Sequence, residues 1–291
     1  MVHVNNLELD ETGKIVLDQV YRKATPVPFY AAISQLDYSV PQLAKPVFEE
    51  LGAFLKDVKK LERLKIVDLG SSYGVNAALL KYGLTINQVF DHYAAAQKSG
   101  MGTAELAAHD RAFLSPKRAE GIEVVGVDIS DEALSYALDA EIIDAKVQGN
   151  FETGGLSAAQ AAALVGTNMI ISTGCIGYVT ERTVAAMLDA IAPNKPWMAH
   201  FVLRTFQFDD LAAMATGRGY KTMKGRVPIR QRRFASKAEF EAAMVRLKEN
   251  DVDPTGFEAE GWYYADLYLS WPEEDGDLDL PPTLAAQFDT V

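Results

Sequence analysis

The sequence predicts an α/β fold with a mostly parallel seven-stranded sheet and helices on both faces. Between residues 63 and 272, apolar runs of strand length alternate with segments of helical periodicity, and repeated β-then-α units of this kind form parallel sheets. The chain has 291 residues, 48% of them hydrophobic, which suffices for one large core with a modest cap. A glycine-bearing turn after the first of these strands is the third observation, since parallel sheets bind ligands at such turns.

The chain before the sheet, residues 1–62, is predicted to be an N-terminal helical cap region. Its segment VFEELGAFLKDVKKL carries apolar residues at helical spacing, and prolines punctuate the rest. The first strand is the apolar run Lys65–Leu69, the turn is Gly70–Gly74, and VNAALLKYG then opens a helix. Strand, tight turn and helix follow one another as they do at the start of a ligand-binding sheet.

A helical insertion at about residues 84–118 is predicted to delay the second strand, because this segment is rich in alanine. The second strand is IEVVGVDI at residues 122–129, and Asp131 suits the first turn of the next helix, where negative charge complements the helix dipole. The alternation then continues and ends in an antiparallel strand pair. Residues 273–291 form an acidic tail that we expect to be loosely ordered.

The functional prediction depends on the segment IVDLGSSYGVNAALL, which contains the first turn. Gly70 and Gly74 allow the backbone to approach a ligand closely, and Ser71 and Ser72 add hydroxyl groups. The second strand ends in Asp128, whose carboxylate can accept hydrogen bonds from both hydroxyls of a ribose. A glycine turn and a strand-end acid therefore occur in the order that a nucleoside-containing cofactor requires.

These residues resemble the class I S-adenosylmethionine-dependent methyltransferase family, which is Rossmann-like, and in particular its small-molecule members. The family's first motif is an acidic residue followed two positions later by a G-x-G-x-G-like turn; Asp68 and Gly70–Gly74 match it, with serine as the middle residue. The resemblance covers roughly residues 65–205 and implies S-adenosyl-L-methionine as the cofactor. Asp128 follows the turn at much more than the usual spacing of roughly 20 residues, so the insertion must loop out.

The resemblance also implies which residues contact the cofactor. Asp68 would hold the methionine amino end, directly or through water, Gly70 and its neighbours would pack beneath the cofactor, and Asp128 would bind its ribose. Contacts with adenine would come from the end of the third strand. The complete predicted set is Asp68, Gly70, Ser71, Ser72, Gly74, Asn76, Asp128, Ile129, Asn150, Phe151, Thr173 and Gly174.

Candidate catalytic residues lie at strand ends, although methyl transfer can draw much of its rate from orientation and exclusion of water alone. We expect Tyr178, in the loop after the fourth strand, and His200, on the fifth, to be the catalytic candidates. Each has a structural alternative, which is packing for Tyr178 and a satisfied core position for His200. Cys175 is expected to be a packing residue.

Candidate substrate contacts are Tyr30 and Tyr38 in the cap and Arg204 at the end of the fifth strand. Arg204 could clamp a carboxylate bidentately, or instead form an ion pair at the sheet end. The cap segment Tyr30–Ser34 also resembles plant-type carboxyl methyltransferases, although Asp37 stands where their carboxylate-binding glutamine would be. The expected reaction is methyl transfer to O, N or S of a small metabolite, preferably amino- or carboxyl-bearing, with release of S-adenosylhomocysteine.

Alternative functions remain open at this level. The turn also satisfies G-x-S-x-G, so a serine hydrolase with Ser72 as nucleophile and His200 as base is a second hypothesis. The residues before the turn are helical in pattern and lack the strands and oxyanion-hole segment that a hydrolase needs. A nicotinamide dehydrogenase is less favoured by the serine-rich turn, and a non-catalytic subunit with a cofactor fold is a third hypothesis.

Composition restricts the partners. The formal net charge is −12, which repels polyanions, so we expect a small-molecule acceptor and neither nucleic acid nor membrane as the partner. Apolar runs of membrane-spanning length and signal-peptide features are absent from the sequence, which favours a cytoplasmic protein. A single cysteine excludes an internal disulfide and Cys-rich metal sites, and we expect no metal. The insertion is a candidate contact for a homodimer.

Overall fold

The computed structural model describes residues 9–14, 22–276 and 280–288. The cap contains helices α1 (Val27–Ser34) and α2 (Val40–Val58). Helix α2 is amphipathic, and its buried residues recur every three or four positions along one stripe: Val40, Ala44, Phe48, Leu51 and Leu55. This stripe packs against the sheet, so the cap is part of the hydrophobic core.

The first βα unit consists of strand β1 (Leu64–Leu69) and helix α3 (Val75–Lys81). The predicted helical insertion follows as α4 (Ile86–Ser99) and α5 (Thr103–Leu114), which precede strand β2 (Ile122–Asp128). Because the insertion lies between α3 and β2, the chain returns to the sheet beside β1 and leaves the parallel pairing of β1 with β2 intact.

A buried aspartate anchors the insertion to the rest of the fold. Asp110, in α5, is 1% exposed, and its Oδ2 accepts hydrogen bonds from the hydroxyls of Tyr93 (2.7 Å) and Tyr136 (2.6 Å). His92 Nε2 lies 2.7 Å from Asp110 Oδ1. These contacts compensate for the burial of the carboxyl group and fix the two inserted helices against the following helix.

The remaining units repeat the alternation that the sequence predicts. They are α6 (Asp131–Asp139), β3 (Ala145–Gln148), α7 (Ala158–Leu164), β4 (Met169–Thr173), α8 (Glu181–Ile191), β5 (Trp197–Leu203), α9 (Asp209–Thr216), β6 (Tyr220–Lys224), β7 (Ile229–Arg233), α10 (Lys237–Glu249), β8 (Trp262–Pro272) and α11 (Pro282–Ala285).

The sheet confirms the predicted fold class. Its strand order is β3-β2-β1-β4-β5-β8-β6, and β7 also pairs with β8. The strands from β3 to β5 are parallel, whereas β8 runs antiparallel to β5, β6 and β7. Strands β6 and β7 share the outer edge of β8, so eight strands fill seven positions across the sheet. The chain order reverses at β1, between β2 and β4, and parallel sheets bind ligands at such a switch point.

Helices cover both faces of the sheet. On one face, Leu64 and Ile66 of β1 join a core that includes the cap and the insertion; on the other, Val67 and Leu69 join a core with α7, α8 and α9. The alternation follows from the period of two along a strand. No helix among the described residues is long and apolar enough to cross a membrane.

The described part of the C-terminal tail is not loosely ordered, contrary to the prediction. Leu284 is fully buried and Phe288 is 4% exposed, and α11 packs against α2. Asp275 accepts a hydrogen bond from Trp197 Nε1 (2.7 Å) and pairs with Lys59 (2.7 Å). Apolar residues beyond the acidic run therefore hold this tail on the core; residues 277–279 and 289–291 lie outside the described structure.

Candidate functional site

A cavity of about 560 Å³ opens at the carboxyl ends of β1, β2, β3 and β4. Its walls include the turn after β1, the end of β2 and the loops after β3 and β4. Ten of the twelve residues predicted to bind the cofactor line it: Gly70, Ser71, Ser72, Asn76, Asp128, Ile129, Asn150, Phe151, Thr173 and Gly174. The remaining two, Asp68 and Gly74, lie beneath the lining.

The turn after β1 adopts a conformation that its small residues permit. Gly70 and Gly74 have φ angles of 72° and 79°, and Ser72, with φ of 49°, also occupies the left-handed region. A Cβ on Gly70 would lie 2.6 Å from Cys175 Cβ, and one on Gly74 would lie 2.5 Å from Ile142 Cγ2. The two glycines thus let the turn pack closely against its neighbours, while the serine backbone faces the cavity.

Asp68 organises the turn from below. It is fully buried, and its carboxylate accepts hydrogen bonds from Ser71 Oγ (3.0 Å) and Asn76 Nδ2 (2.8 Å). Burial raises the pKa of Asp68 to about 7, against the effect of these hydrogen bonds. Asp68 does not line the cavity itself, whereas its hydrogen-bond partners Ser71 and Asn76 do, so the predicted contact with a cofactor, directly or through water, stays a prediction.

Asp128 ends β2 at the cavity wall. Ser72 N donates to its Oδ2 and Ser130 N to its Oδ1, both at 2.9 Å. Burial raises the pKa of this carboxyl group, and the backbone hydrogen bonds oppose that rise. Each carboxylate oxygen can accept more than one hydrogen bond, so Asp128 can receive two further donors from a ligand. The distance along the chain from the turn is irrelevant to this contact, because the insertion loops out.

The loop after β3 forms a second wall. Asn150 and Phe151 line the cavity, and Phe151 is 7% exposed. A Cβ on Gly149 would lie 2.8 Å from the Phe151 ring, so the glycine lets the ring lie flat against the backbone. Glu152 accepts hydrogen bonds from Thr180 N (2.9 Å), Thr180 Oγ1 and Thr183 Oγ1 (both 2.5 Å), which ties this loop to the start of α8.

The loop after β4 closes the cavity floor. Thr173 Oγ1 lies 3.1 Å from Asn76 Nδ2, and a Cβ on Gly174 would lie 2.9 Å from Gln231 Nε2. Burial raises the pKa of the Cys175 thiol to about 12, and its Sγ donates to Leu69 O (3.2 Å). Cys175 therefore stays protonated near neutral pH, as expected of a packing residue.

Three buried polar atoms at the cavity have no hydrogen-bond partner among the described residues. They are Ser72 Oγ, Asn76 Oδ1 and Gln231 Oε1. Buried polar groups are rarely left unpaired, because each one costs free energy comparable to a lost hydrogen bond. Their clustering at one cavity indicates that a polar ligand completes the site.

Several lining residues were not found by sequence reasoning. Asp10, Lys14 and Arg22 come from the N-terminal region, and Gln231 and Arg232 come from β7. None belongs to a motif, and the fold alone brings them to the carboxyl ends of the strands. From the proline-rich cap segment, Tyr38, Phe29 and Ile33 line the cavity, and contact of Tyr38 with a substrate stays a prediction.

Tyr178 lines the cavity, but its hydroxyl is engaged. It donates to Asp10 Oδ2 (2.8 Å) and lies 3.0 Å from Thr12 Oγ1. Burial raises the pKa of Tyr178, and hydrogen bonding to Asp10 raises it further. The phenol therefore stays protonated and joins residues 9–14 to the loop after β4.

Three predicted residues lie elsewhere, and their predicted roles need correction. His200 is fully buried on β5, faces the α9 side of the sheet, and its Nδ1 lies 2.8 Å from Ser172 Oγ; burial lowers its pKa to about 4. Arg204 pairs with Glu258 (2.9 Å) and donates to Asp253 O (2.8 Å). Tyr30 is 2% exposed and stacks on Tyr93 at 4.3 Å.

The basic stretch 217–237 is mostly neutralised within the fold. Arg218 pairs with Asp189, Lys224 with Asp266 and Arg233 with Asp37. Only a few of its cations therefore reach the cavity, and Arg232, which does, is bound by a carboxylate.

The hydrolase hypothesis lacks a base at this site. Ser72 Oγ faces the cavity without a partner, yet His92, His109 and His200, the histidines within the described residues, are all absent from its lining. Without a histidine or an equivalent base, a serine hydroxyl is a weak nucleophile. His3 lies outside the described structure.

No family model matches the chain, and no curated protein matches it either. Several solved structures match at low identity. The plantazolicin methyltransferase BamL, in complex with a triazolic desmethylPZN analog and SAH, is 13% identical with a TM-score of 0.45, over 88% of this chain and 99% of its own. A TehB-like SAM-dependent methyltransferase from Corynebacterium glutamicum is 15% identical with a TM-score of 0.37, over 75% and 85%. The [4+2]-cyclase SpnF is 8% identical with a TM-score of 0.40, over 77% and 80%. Similarity at this level identifies neither a substrate nor an activity for this chain.

Proposed function

We propose that the protein is an S-adenosylmethionine-dependent methyltransferase that methylates O, N or S of a small metabolite and releases S-adenosylhomocysteine. The observation that carries this proposal is the cavity at the sheet's switch point, where Asp128 and the β1 turn meet. A carboxylate held by two backbone amides at the end of β2 suits the two hydroxyls of a ribose. The unpaired Ser72 Oγ and Asn76 Oδ1 suit the polar methionine end of the same molecule.

The residues of the cavity fit each part of this cofactor. Asn150 and Phe151 would flank the adenine, the turn from Gly70 to Asn76 would lie beneath the methionine part, and Asp128 would bind the ribose. Asn76 can accept a hydrogen bond from the cofactor ammonium, because its own amide group already donates to Asp68. Asp68 is thus a positioning residue that fixes the orientation of the Asn76 amide.

When bound, the cofactor supplies a methyl group on a positively charged sulfur. The protein then needs to hold the acceptor atom in line with the carbon–sulfur bond and to exclude water. Tyr178, Phe29 and Ile33 also line the cavity, and their side chains would serve both needs. The acceptor atom would take the methyl group from the sulfur, S-adenosylhomocysteine would be released, and the acceptor's proton would pass to solvent.

The experiment combines S-adenosylmethionine with a panel of phenols, amines, thiols and carboxylic acids and follows S-adenosylhomocysteine by mass spectrometry. We expect methylated product with at least one class, and strongly reduced turnover in Asp128→Asn. Asp131→Asn, an exposed neighbour that pairs with Lys146, is the matched control.

Ser72→Ala separates the two enzymatic hypotheses. Because the backbone amide of Ser72, and not its hydroxyl, holds Asp128, methyl transfer should persist in this variant at reduced rate. Hydrolysis of p-nitrophenyl acetate by the wild type that Ser72→Ala abolishes would contradict the proposal and favour the hydrolase.

A further inference from the structure

We propose that the methyl acceptor carries an anionic head group, a carboxylate or a phosphate, and that Lys14 binds this group. The proposal rests on the proposed function and names the class of substrate for the same cavity. The proposal assigns to Lys14 the anion-binding role that the sequence suggested for Arg204, because Arg204 pairs with Glu258 and does not line the cavity. No sequence motif marks Lys14.

Lys14 lines the cavity beside Tyr178. Its Nζ lies 5.0 Å from the ring centroid of Tyr178 and 5.9 Å from that of Tyr263. Lys14 is partly buried and lines the cavity, yet within the described parts of the chain no carboxylate oxygen lies within 4.0 Å of its Nζ. A partly buried cation without a paired anion is costly, because the charge loses hydration that the protein does not replace.

The nearby carboxylates are committed to other groups. Asp10 accepts hydrogen bonds from Thr12 N (2.8 Å), Lys14 N (3.1 Å) and Tyr178 OH (2.8 Å). Glu239 binds the Arg232 guanidinium in a bidentate pair, at 2.9 and 2.7 Å, and also accepts from Ala235 N at 2.7 Å. Neither carboxylate can turn to Lys14 without leaving these donors unpaired, so the described parts of the chain leave the counter-charge for Lys14 to a ligand.

The electrostatic surroundings agree with this geometry. Burial and, after it, the neighbouring Arg232 together lower the pKa of Lys14 to about 8, and Glu239 and Asp10 offset this lowering only in part. An anionic ligand would relieve both effects. The protein as a whole carries a net charge of −12, so this electropositive spot in its cavity is a local exception.

The remaining walls describe the rest of the acceptor. Phe29, Ile33 and Tyr38 give the cap side of the cavity an apolar surface. Gln231 is 5% exposed, and its unpaired Oε1 can accept a hydrogen bond from a hydroxyl or amino group. The structure thus favours a small acceptor with an apolar body, one anionic group and a hydrogen-bond donor.

The test uses protein saturated with S-adenosylhomocysteine and three probes of similar size: phenylacetate, phenyl phosphate and the neutral phenylacetamide. Calorimetric titration should show that the wild type binds at least one anion roughly tenfold or more tightly than the amide, as expected for a charge-assisted hydrogen bond. The better anion identifies the head group. Lys14→Met should remove the preference, Lys14→Arg should retain it, and Lys98→Met, which loses an exposed lysine on α4, should behave as the wild type.

Three results would overturn the inference. The wild type would bind neither anion better than the amide, or Lys14→Met would keep the preference. In the third, Lys14→Met would weaken the binding of S-adenosylhomocysteine but not that of 5′-methylthioadenosine, which lacks the amino-acid part. That result would mean that Lys14 binds the carboxylate of the cofactor and not that of the acceptor. A wild type that does not bind S-adenosylhomocysteine at all would instead refute the proposed function, so the two failures are distinguishable.

Discussion

The buried carboxyl group of Asp68 makes the stability of this protein depend on pH in a specific direction. Its pKa of about 7 in the folded state lies above the value of about 3.9 expected in the unfolded chain. Between these values the folded state holds a proton that the unfolded state has released, so the free energy of unfolding falls as pH rises. The stabilisation that protonation provides is complete below pH 4 and is lost as pH rises through about 7.

Asp68→Asn removes this proton linkage and keeps the shape of the side chain. One pH unit corresponds to about 1.4 kcal/mol where the linkage is complete, and the slope falls to half of this at the pKa, so between pH 5 and pH 7 the wild type should lose about 2 kcal/mol relative to the variant. Urea unfolding at half-unit intervals from pH 5 to pH 8.5 measures this difference, and Asp91→Asn, an exposed residue on α4, is the matched control. A difference between wild type and Asp68→Asn that stays constant across this range would refute the reasoning.

Three further predictions concern Gly70 in the turn after β1, Arg204 beyond β5 and Lys14 at the cavity. Gly70→Ala should weaken the binding of S-adenosylhomocysteine, measured by calorimetry, at least about tenfold, because the new Cβ would lie 2.6 Å from Cys175 Cβ. Gly83→Ala is the control, since Gly83 has a similar positive φ but open space around it. This variant should lose only about 1 kcal/mol of stability and bind as the wild type does. Arg204→Met should lower the free energy of unfolding in urea by about 3 kcal/mol at pH 8, because it leaves the buried Glu258 carboxylate unpaired. The loss should be smaller below the Glu258 pKa of about 7, where that group is protonated. Equal affinity of the variant and the wild type for S-adenosylhomocysteine would show that Arg204 lies outside the site. Anion binding should weaken as pH rises above about 8, because Lys14 has a pKa of about 8 in the presence of its charged and titratable neighbours Arg232, Glu239, Asp10 and Cys175. Titration of phenylacetate from pH 6.5 to 9.5 measures this dependence. An affinity that does not change with pH would count against a protonated Lys14 as the binding group.

Much of the fold, and the part of the cavity wall formed by the β1 turn and the end of β2, could be predicted from the sequence, because both depend on local patterns. The alternation of side chains along β1 and the glycines of the turn after it lie within one short segment of the sequence, and Asp128 ends an apolar strand. The insertion could be recognised because its composition is helical and it separates the turn from Asp128. Two features of the fold were not apparent from the sequence. One is the packing of the C-terminal tail through Leu284 and Phe288, and the other is that β6 and β7, both short and polar, share one edge of β8.

The part of the cavity wall that contains Lys14 and Gln231 could not be predicted, because chain segments far apart in sequence form it. Lys14 and Gln231 are separated by most of the chain and carry no motif. The sequence could not decide between the functional and structural roles of His200 and Arg204, because proximity to a strand end does not reveal which way a side chain points. His200 alternates with Ala199 and Phe201 and so faces away from the cap, whereas Arg204 lies beyond β5 and meets Glu258.

The measurement that tests the account most directly is calorimetric titration of S-adenosylhomocysteine into the wild type, Asp128→Asn and Asp131→Asn, with NAD as a control ligand and circular dichroism to show that each variant is folded. Micromolar or tighter binding by the wild type and by Asp131→Asn is expected, with a loss of about a hundredfold in Asp128→Asn for two weakened hydrogen bonds to a charged acceptor, and no binding of NAD. Absence of S-adenosylhomocysteine binding by the wild type, or equal affinity in the folded Asp128→Asn variant, would contradict the assignment of this cavity.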